Sequence, residues 1–137
     1  MSQEKIFLKG IIFYLMILSG CATTSVLVRE MVDLRSIHEG MSTQEVKTQL
    51  GDKVVTGYDL THPKNGNAIS IVLKNPYRKE ILKNGEKNYE IAYYFTSIKK
   101  QDGMISDDEL TPLVFENNRL IGQGWMFLSV LKKEQHL

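Results

Sequence analysis

Residues Gly40 to Gly51, GMSTQEVKTQLG, are the most constrained stretch of the chain. Ser42 stands as a helix N-cap, and Glu45, three residues on, can complete a capping box with it. Met41 before the cap and Val46 after it have the spacing of a hydrophobic staple. Val46 and Leu50 lie one turn apart on one face, and Gly51 can take the left-handed conformation that stops a helix. The helix so defined has two turns. Helices that short do not persist alone in water, so this one must lay its apolar face on something larger.

The residues before Gly40 read as a second short helix. Leu27, Met31, Leu34 and Ile37 or His38 recur at spacings of three and four, and Gly40 is placed to stop them. A strand over SVLV is the other reading of its start. Beyond Gly51 the pattern turns to strand. The β-branched DKVVTGYDL predicts a strand near Val54–Leu60, and THPKNGN reads as a loop through Pro63 and Asn65-Gly66. AISIVL predicts another strand, and NPYRKEILKNGEKN carries turn signals at Asn75-Pro76 and Asn84-Gly85. Tyr89, Ile91, Tyr93 and Phe95 alternate with Glu90, Ala92, Tyr94 and Thr96, a strong two-residue period. QDGMISDD reads as a polar loop. The expected fold is α+β, with two short N-terminal helices packed on an antiparallel sheet of three or four strands.

LTPLVFENNRLIGQGW predicts a hairpin about Asn117-Asn118, residues that tolerate the positive φ of a tight turn. Pairing across it sets Glu116 opposite Arg119 as an exposed ion pair, Phe115 opposite Leu120 and Val114 opposite Ile121. Pro112 suits the start or the edge of a strand. Trp125, Phe127 and Leu128 extend the apolar surface, and the charged tail of residues 131–137 is expected to fray.

A chain of 137 residues allows one domain with a modest core. Hydrophobic residues make up 42% and charged residues 24%, as in an ordinary globular protein. The net charge is +1 and no basic block stands out, which argues against nucleic acid as a partner.

The first twenty residues differ from the rest. Lys5 and Lys9 lead into an apolar run from Ile11 to Leu18, and small residues come after it, the pattern of a secretory signal. The run is about half of what a bilayer span needs. At its end, Leu18-Ser19-Gly20-Cys21 resembles the lipobox of bacterial lipoproteins at every position. The resemblance implies that residues 1–20 are a signal peptide and that Cys21 becomes the first mature residue. The same resemblance implies a diacylglycerol on the Cys21 sulfur and an N-acyl chain on its amine. One acyl chain binds a membrane reversibly, whereas two or three hold it durably. Ala22 stands where an aspartate would mark retention at the inner membrane of enteric bacteria, so the resemblance favours the outer membrane, facing the periplasm. Residues 21–26 are then a lipidated tether and residues 27–130 the domain. Removing the leader takes Lys5, Lys9 and Glu4 from 17 basic and 16 acidic groups and leaves a neutral mature chain. The only cysteine is the lipidated one, so no disulfide forms and the fold must hold by packing.

The segment IHEGMSTQEVKTQLGDKV, succeeded by strands ending in VFENNRLIGQGW, resembles the SmpA/OmlA (BamE-like) outer-membrane lipoproteins. Gly40-Met41, Val46, Leu50-Gly51 and a final hairpin with Phe115, Leu120 and Gly124 carry the likeness, which spans roughly residues 34–125. It implies a helix-on-sheet domain that binds other envelope proteins, in outer-membrane protein assembly through the barrel-assembly machinery or in envelope integrity. The same scaffold serves small ligand-binding and hydrolase-inhibitor modules. The longer middle from His62 to Lys87, with its NPYRKE, departs from the assembly subunit and suits a separate branch of the superfamily.

Catalytic chemistry is not evident. His38, His62 and His136 lack metal-ligand spacing. Asp107, Asp108 and Glu109 are the densest acidic group, but without the spacing of a calcium loop they read as a solvated turn. Gly122-Gln123-Gly124 reads as a strand bend before Trp125, not a phosphate loop. No catalytic residue, metal or cofactor beyond the lipid is expected. The partner-binding candidates are Tyr94, expected to be exposed opposite Tyr93 and Phe95, together with Arg78 and Trp125.

Overall fold

The computed structural model describes residues 28–29, 32–100, 102 and 104–135. Leu18, Ser19, Gly20, Cys21, the 21–26 tether and His136 lie outside them. The elements run β1 (Val28–Arg29), α1 (Thr43–Leu50), β2 (Lys53–Lys64), β3 (Asn67–Lys74), β4 (Arg78–Asn84), β5 (Lys87–Phe95), β6 (Leu110–Glu116), β7 (Arg119–Gln123) and α2 (Trp125–Glu134). Single 3-10 turns occupy Leu34–Ser36 and Asp107–Glu109. The class is α+β, and the main sheet is antiparallel with four strands in the order β4-β5-β6-β7. A second sheet consists of the antiparallel pair β2-β3, with β1 added parallel to β2 at Val28↔Lys53 and Arg29↔Val54.

α1 forms as its punctuation requires. Ser42 Oγ accepts from the Glu45 amide, the Glu45 carboxylate accepts from the Ser42 amide at 2.7 Å, and Gly51 takes φ 78°. Val46 and Leu50 are buried in the core together with Met41. Gly40 and Met41 pair with β7 through Gly40 N–H to Leu120 O and Leu120 N–H to Met41 O, both 2.8 Å, which covers the sheet edge in front of the helix.

The expected first helix is not present in the described part of its span. Val28 and Arg29 are strand, Leu34–Ser36 is one 3-10 turn, and Ile37 returns to extended backbone. Asp33 supplies a physical reason. Its carboxylate accepts from the Arg35 amide at 2.9 Å and from the Arg35 guanidinium, a local bonding pattern that competes with helix. The second helix is at the other end of the chain, where residues 125–134 form α2. The charged tail is therefore helical as far as Glu134, and Lys132 reaches Glu80 at 3.6 Å.

α2 changes the meaning of the central strand. Tyr89, Ile91, Tyr93 and Phe95 share one face of β5, and Tyr93 meets Trp125 of α2 with ring centroids 5.5 Å apart. Ala92 and Tyr94 are on the other face, which Thr43, Gln44 and Lys47 of α1 border. Helices thus cover both faces of the sheet. Tyr94 is 3% exposed, so its expected exposure is corrected.

The predicted turns hold. Asn117 and Asn118 have φ 49° and 63°, the positive values of a type I′ turn, and Asn65-Gly66 makes a second such turn. The expected THPKNGN loop shrinks to those two residues, because β2 runs to Lys64 and β3 begins at Asn67. Pairing of β6 with β7 starts as read, with Glu116↔Arg119 and Phe115↔Leu120, and then slips so that Val114 meets Gly122. Ile121 is the extra residue of a β-bulge. The expected Glu116–Arg119 ion pair does not form, because each has another partner: Arg119 donates to Gly40 O at 3.1 Å and lies 4.0 Å from Glu45, while Glu116 lies 3.5 Å from Lys87.

Candidate functional site

β2 has twelve residues, a reach of about 40 Å when extended. Its base is core: Val54 is buried and Leu73, its partner across the ladder, packs against the same cluster. Asn75 fixes the base to the main sheet. Its amide donates to Asp52 O at 2.8 Å and its side-chain oxygen accepts from the Phe95 amide at 2.9 Å, beside a cis Asn75-Pro76 peptide. Beyond Thr56 the β2-β3 arm leaves the core, and Tyr58, Leu60, Ile71 and Val72 stay exposed.

A groove of about 750 Å³ lies between this arm and the segment after β5. Tyr58, Leu60, Ile71, Tyr77, Ile98 and Met104 line it, over a floor of Leu73, Phe95 and Ile105. Those first six are among the eleven large apolar side chains exposed in the described residues, with Leu60 at 74% and Met104 at 71%. Scattered exposed apolar residues need no explanation, but six along one concavity make this groove the candidate site.

Glu109 secures the far wall. It is 1% exposed, and its carboxylate accepts from the amides of Lys99 (2.8 Å), Lys100 (3.2 Å) and Ser106 (3.1 Å). These bonds to the charged form hold its pKa down at about 2. The acidic triplet is thus split: Asp107 pairs with Arg78 at 2.9 Å, Asp108 accepts from Ser106 Oγ, and Glu109 serves as a loop anchor. The expectation of a solvated turn fails for Glu109. Among the described residues no group of three or more His, Cys, Asp and Glu is placed to hold a metal ion.

Of the sequence candidates, Arg78 and Trp125 come together and Tyr94 does not join them. The Arg78 guanidinium lies 4.2 Å from the Tyr93 ring centroid, and Trp125 packs on the same ring while its Nε1 donates to Leu110 O at 2.8 Å. The Tyr93 hydroxyl donates to Glu80 at 2.7 Å, and burial with this bond pushes its pKa up to about 12. This is a structural cluster clamping α2 to the sheet. Gly122-Gln123-Gly124 does join a strand to a helix, contrary to expectation, but the Phe127 ring fills the space above Gly122 and the Gly124 amide is spent on Pro112 O. The Gly124 amide is therefore not free to cradle a phosphate.

The groove residues escape a sequence reading for a definable reason. Tyr58 and Leu60 alternate with Asp59 and Thr61, a signal for strand that does not say which face finds a partner. Met104 and Ile105 sit in a stretch dominated by polar neighbours.

No helix among the described residues is long and apolar enough to cross a membrane. The molecule is thus an α+β domain with a helix on each face of its main sheet and an apolar groove beside a protruding β arm. The family model described as a protein of unknown function (DUF3192) matches residues 28–129, and the chain belongs to that family. No curated protein and no solved structure matches the chain.

Proposed function

We propose that this chain is a non-enzymatic lipoprotein, tethered to the outer membrane through lipidated Cys21, that binds other envelope proteins from the periplasmic side. The observation that carries the binding role is the apolar groove beside the β2-β3 arm, whose exposed Tyr58, Leu60, Ile71, Tyr77, Ile98 and Met104 have the composition of a protein interface. The lipobox supports the tether, with the sequence 1–20 as signal peptide and the acyl chains on Cys21 as its only prosthetic groups. Resemblance to the SmpA/OmlA lipoproteins supports a role in outer-membrane protein assembly, at or near the barrel-assembly machinery, or in envelope integrity.

Site-specific photo-crosslinking of the full chain in cells tests this. A photoreactive residue at Leu60 should yield discrete adducts with an envelope protein, whereas the same residue at Lys83, on β4, should not. Absence of Leu60 adducts would rule out the groove as a docking site. Mass spectrometry of the membrane-extracted protein checks the tether. Acylated Cys21 as the first residue is expected, and an intact leader with a bare thiol refutes the address.

A further inference from the structure

A second concavity, of about 840 Å³, opens between α1, the base of the β2-β3 arm and the α1 side of the main sheet. Its rim holds Lys47 from α1, Lys53 at the start of β2 and Lys74 at the end of β3. None of the three has an ion-pair partner among the described residues. Lys79, also on the rim, is neutralised by Glu90 at 2.6 Å, and Asp52 is the one remaining acid in the lining. The site carries a net positive charge.

Two features of the cleft are unfavourable, and a ligand would offset the first of them. Lys53 and Lys74 are directly opposed across the β2-β3 ladder, and like charges in that relation destabilise a sheet. Asn75, in the lining, is 0% exposed and its Nδ2 has no hydrogen-bond partner. A buried donor left unpaired is rare in a folded chain. Tyr94 also lines the cleft, and its hydroxyl has no protein partner among the described residues without being shut away from solvent as Asn75 Nδ2 is. Burial keeps that phenol neutral, with its pKa pushed up to about 12, so it remains a donor.

We infer that this cleft binds an acidic peptide segment of a partner protein, its carboxylates shared among Lys47, Lys53 and Lys74 above the Tyr94 floor. A peptide fits better than a lone phosphate. Phosphate is best gripped by arginine forks or by clustered backbone amides; here the lining's one arginine, Arg78, is spent on Asp107 at 2.9 Å, and the three unpaired cations are separate ammonium groups on three elements. Opposite charge supplied along a chain would relieve the Lys53–Lys74 repulsion and accept from the Tyr94 hydroxyl. This assignment extends past the apolar groove and stands without the lipid.

The test is fluorescence anisotropy of a labelled hexaglutamate peptide with the full chain in nonionic detergent at low ionic strength. Saturable binding is expected, with none for hexaglutamine. The variant carrying Lys47→Gln, Lys53→Gln and Lys74→Gln should bind about tenfold more weakly, and Tyr94→Phe about threefold. The triple variant should melt no lower than the parent, because it removes the opposed charges. Equal affinity in the triple variant, or absence of saturation, overturns the proposal. Full affinity in Tyr94→Phe would leave the peptide on the rim alone and overturn the cleft assignment. Displacement by inorganic phosphate at matched charge, or capture by phosphatidylglycerol vesicles without peptide binding, would assign the lysines to another anion. Leu60 adducts found without hexaglutamate binding would sink this inference and leave the groove standing.

Discussion

The four-stranded sheet and the β2-β3 arm are both antiparallel and both rich in β-branched and aromatic residues, yet they treat their apolar side chains in opposite ways. In the sheet, Tyr89, Ile91, Ala92, Tyr93, Tyr94 and Phe95 are all buried on one strand, because α1 closes one face and α2 the other. In the arm, burial stops near Val55, and Tyr58, Leu60 and Ile71 remain open. The difference teaches what each region is for. Apolar residues that the chain covers by itself make stability, and those left uncovered along a defined concavity are what the proposed docking role rests on.

The largest effect should come from the sheet. Phe115→Ala, at a position 1% exposed between helix and strands, is expected to cost about 3–5 kcal/mol in urea unfolding. A smaller loss would mean that α1 closes over the cavity, and the sheet would be less rigid than its packing implies. Next comes the approach of α2. A Cβ built on Gly122 would lie 2.4 Å from the Phe127 ring, so Gly122→Ala should cost about 1–3 kcal/mol. Combining it with Phe127→Leu should recover part of that loss, a coupling that two independent sites would not show.

Between sheet and arm lies the Glu109 anchor, which ties the groove wall to the start of β6. Its carboxyl titrates at about 2 in the folded chain, against an ordinary value of 4.5. On acidification the unfolded chain therefore takes up this proton first. The stability that Glu109 contributes is complete above pH ~4.5 and is lost as pH falls towards 2. Thermal melts across that window should show a falling midpoint, and Glu109→Gln should flatten that part of the profile while lowering the midpoint at neutral pH. A variant with an unchanged profile would assign the acid sensitivity to other carboxylates.

The contrast between the two regions also governs what could be read without a structure. α1 was legible because its signals are local: Ser42, Glu45, Val46, Leu50 and Gly51 interact within one helix. The Asn117-Asn118 turn was legible for the same reason. Tyr94 was not, because its burial depends on the face-to-face relation of α1 with a strand more than forty positions away. α2 itself lacked a start signal, since its N-cap is Gly124 at φ 91° with no side chain to accept from the first turn. The lysine cleft was beyond reach for a further reason. An unbroken ladder counted from Lys64↔Asn67 would set Arg78 opposite Lys53, but the ladder slips between Val55 and Gly57 and again between Asp59 and Lys64, and Lys74 arrives there instead. Irregular pairing is written in packing, not in periodicity.

The smallest stability change is the most telling one for function. Leu60 is 74% exposed and lies past the last buried residue of its strand, so Leu60→Ser should leave unfolding free energy within about 0.5 kcal/mol of the parent. Removing this side chain does, however, delete one of the six exposed apolar contacts of the groove, and a few contacts carry most of an interface's binding energy. Capture of an envelope protein through a photoreactive group at Tyr58 should therefore fall sharply in Leu60→Ser although the domain is as stable as before. A large fall in stability would show that the arm is held by contacts of its own and would blur the distinction between the regions. Undiminished capture with unchanged stability would mean that the open apolar face of the arm is not where the partner sits.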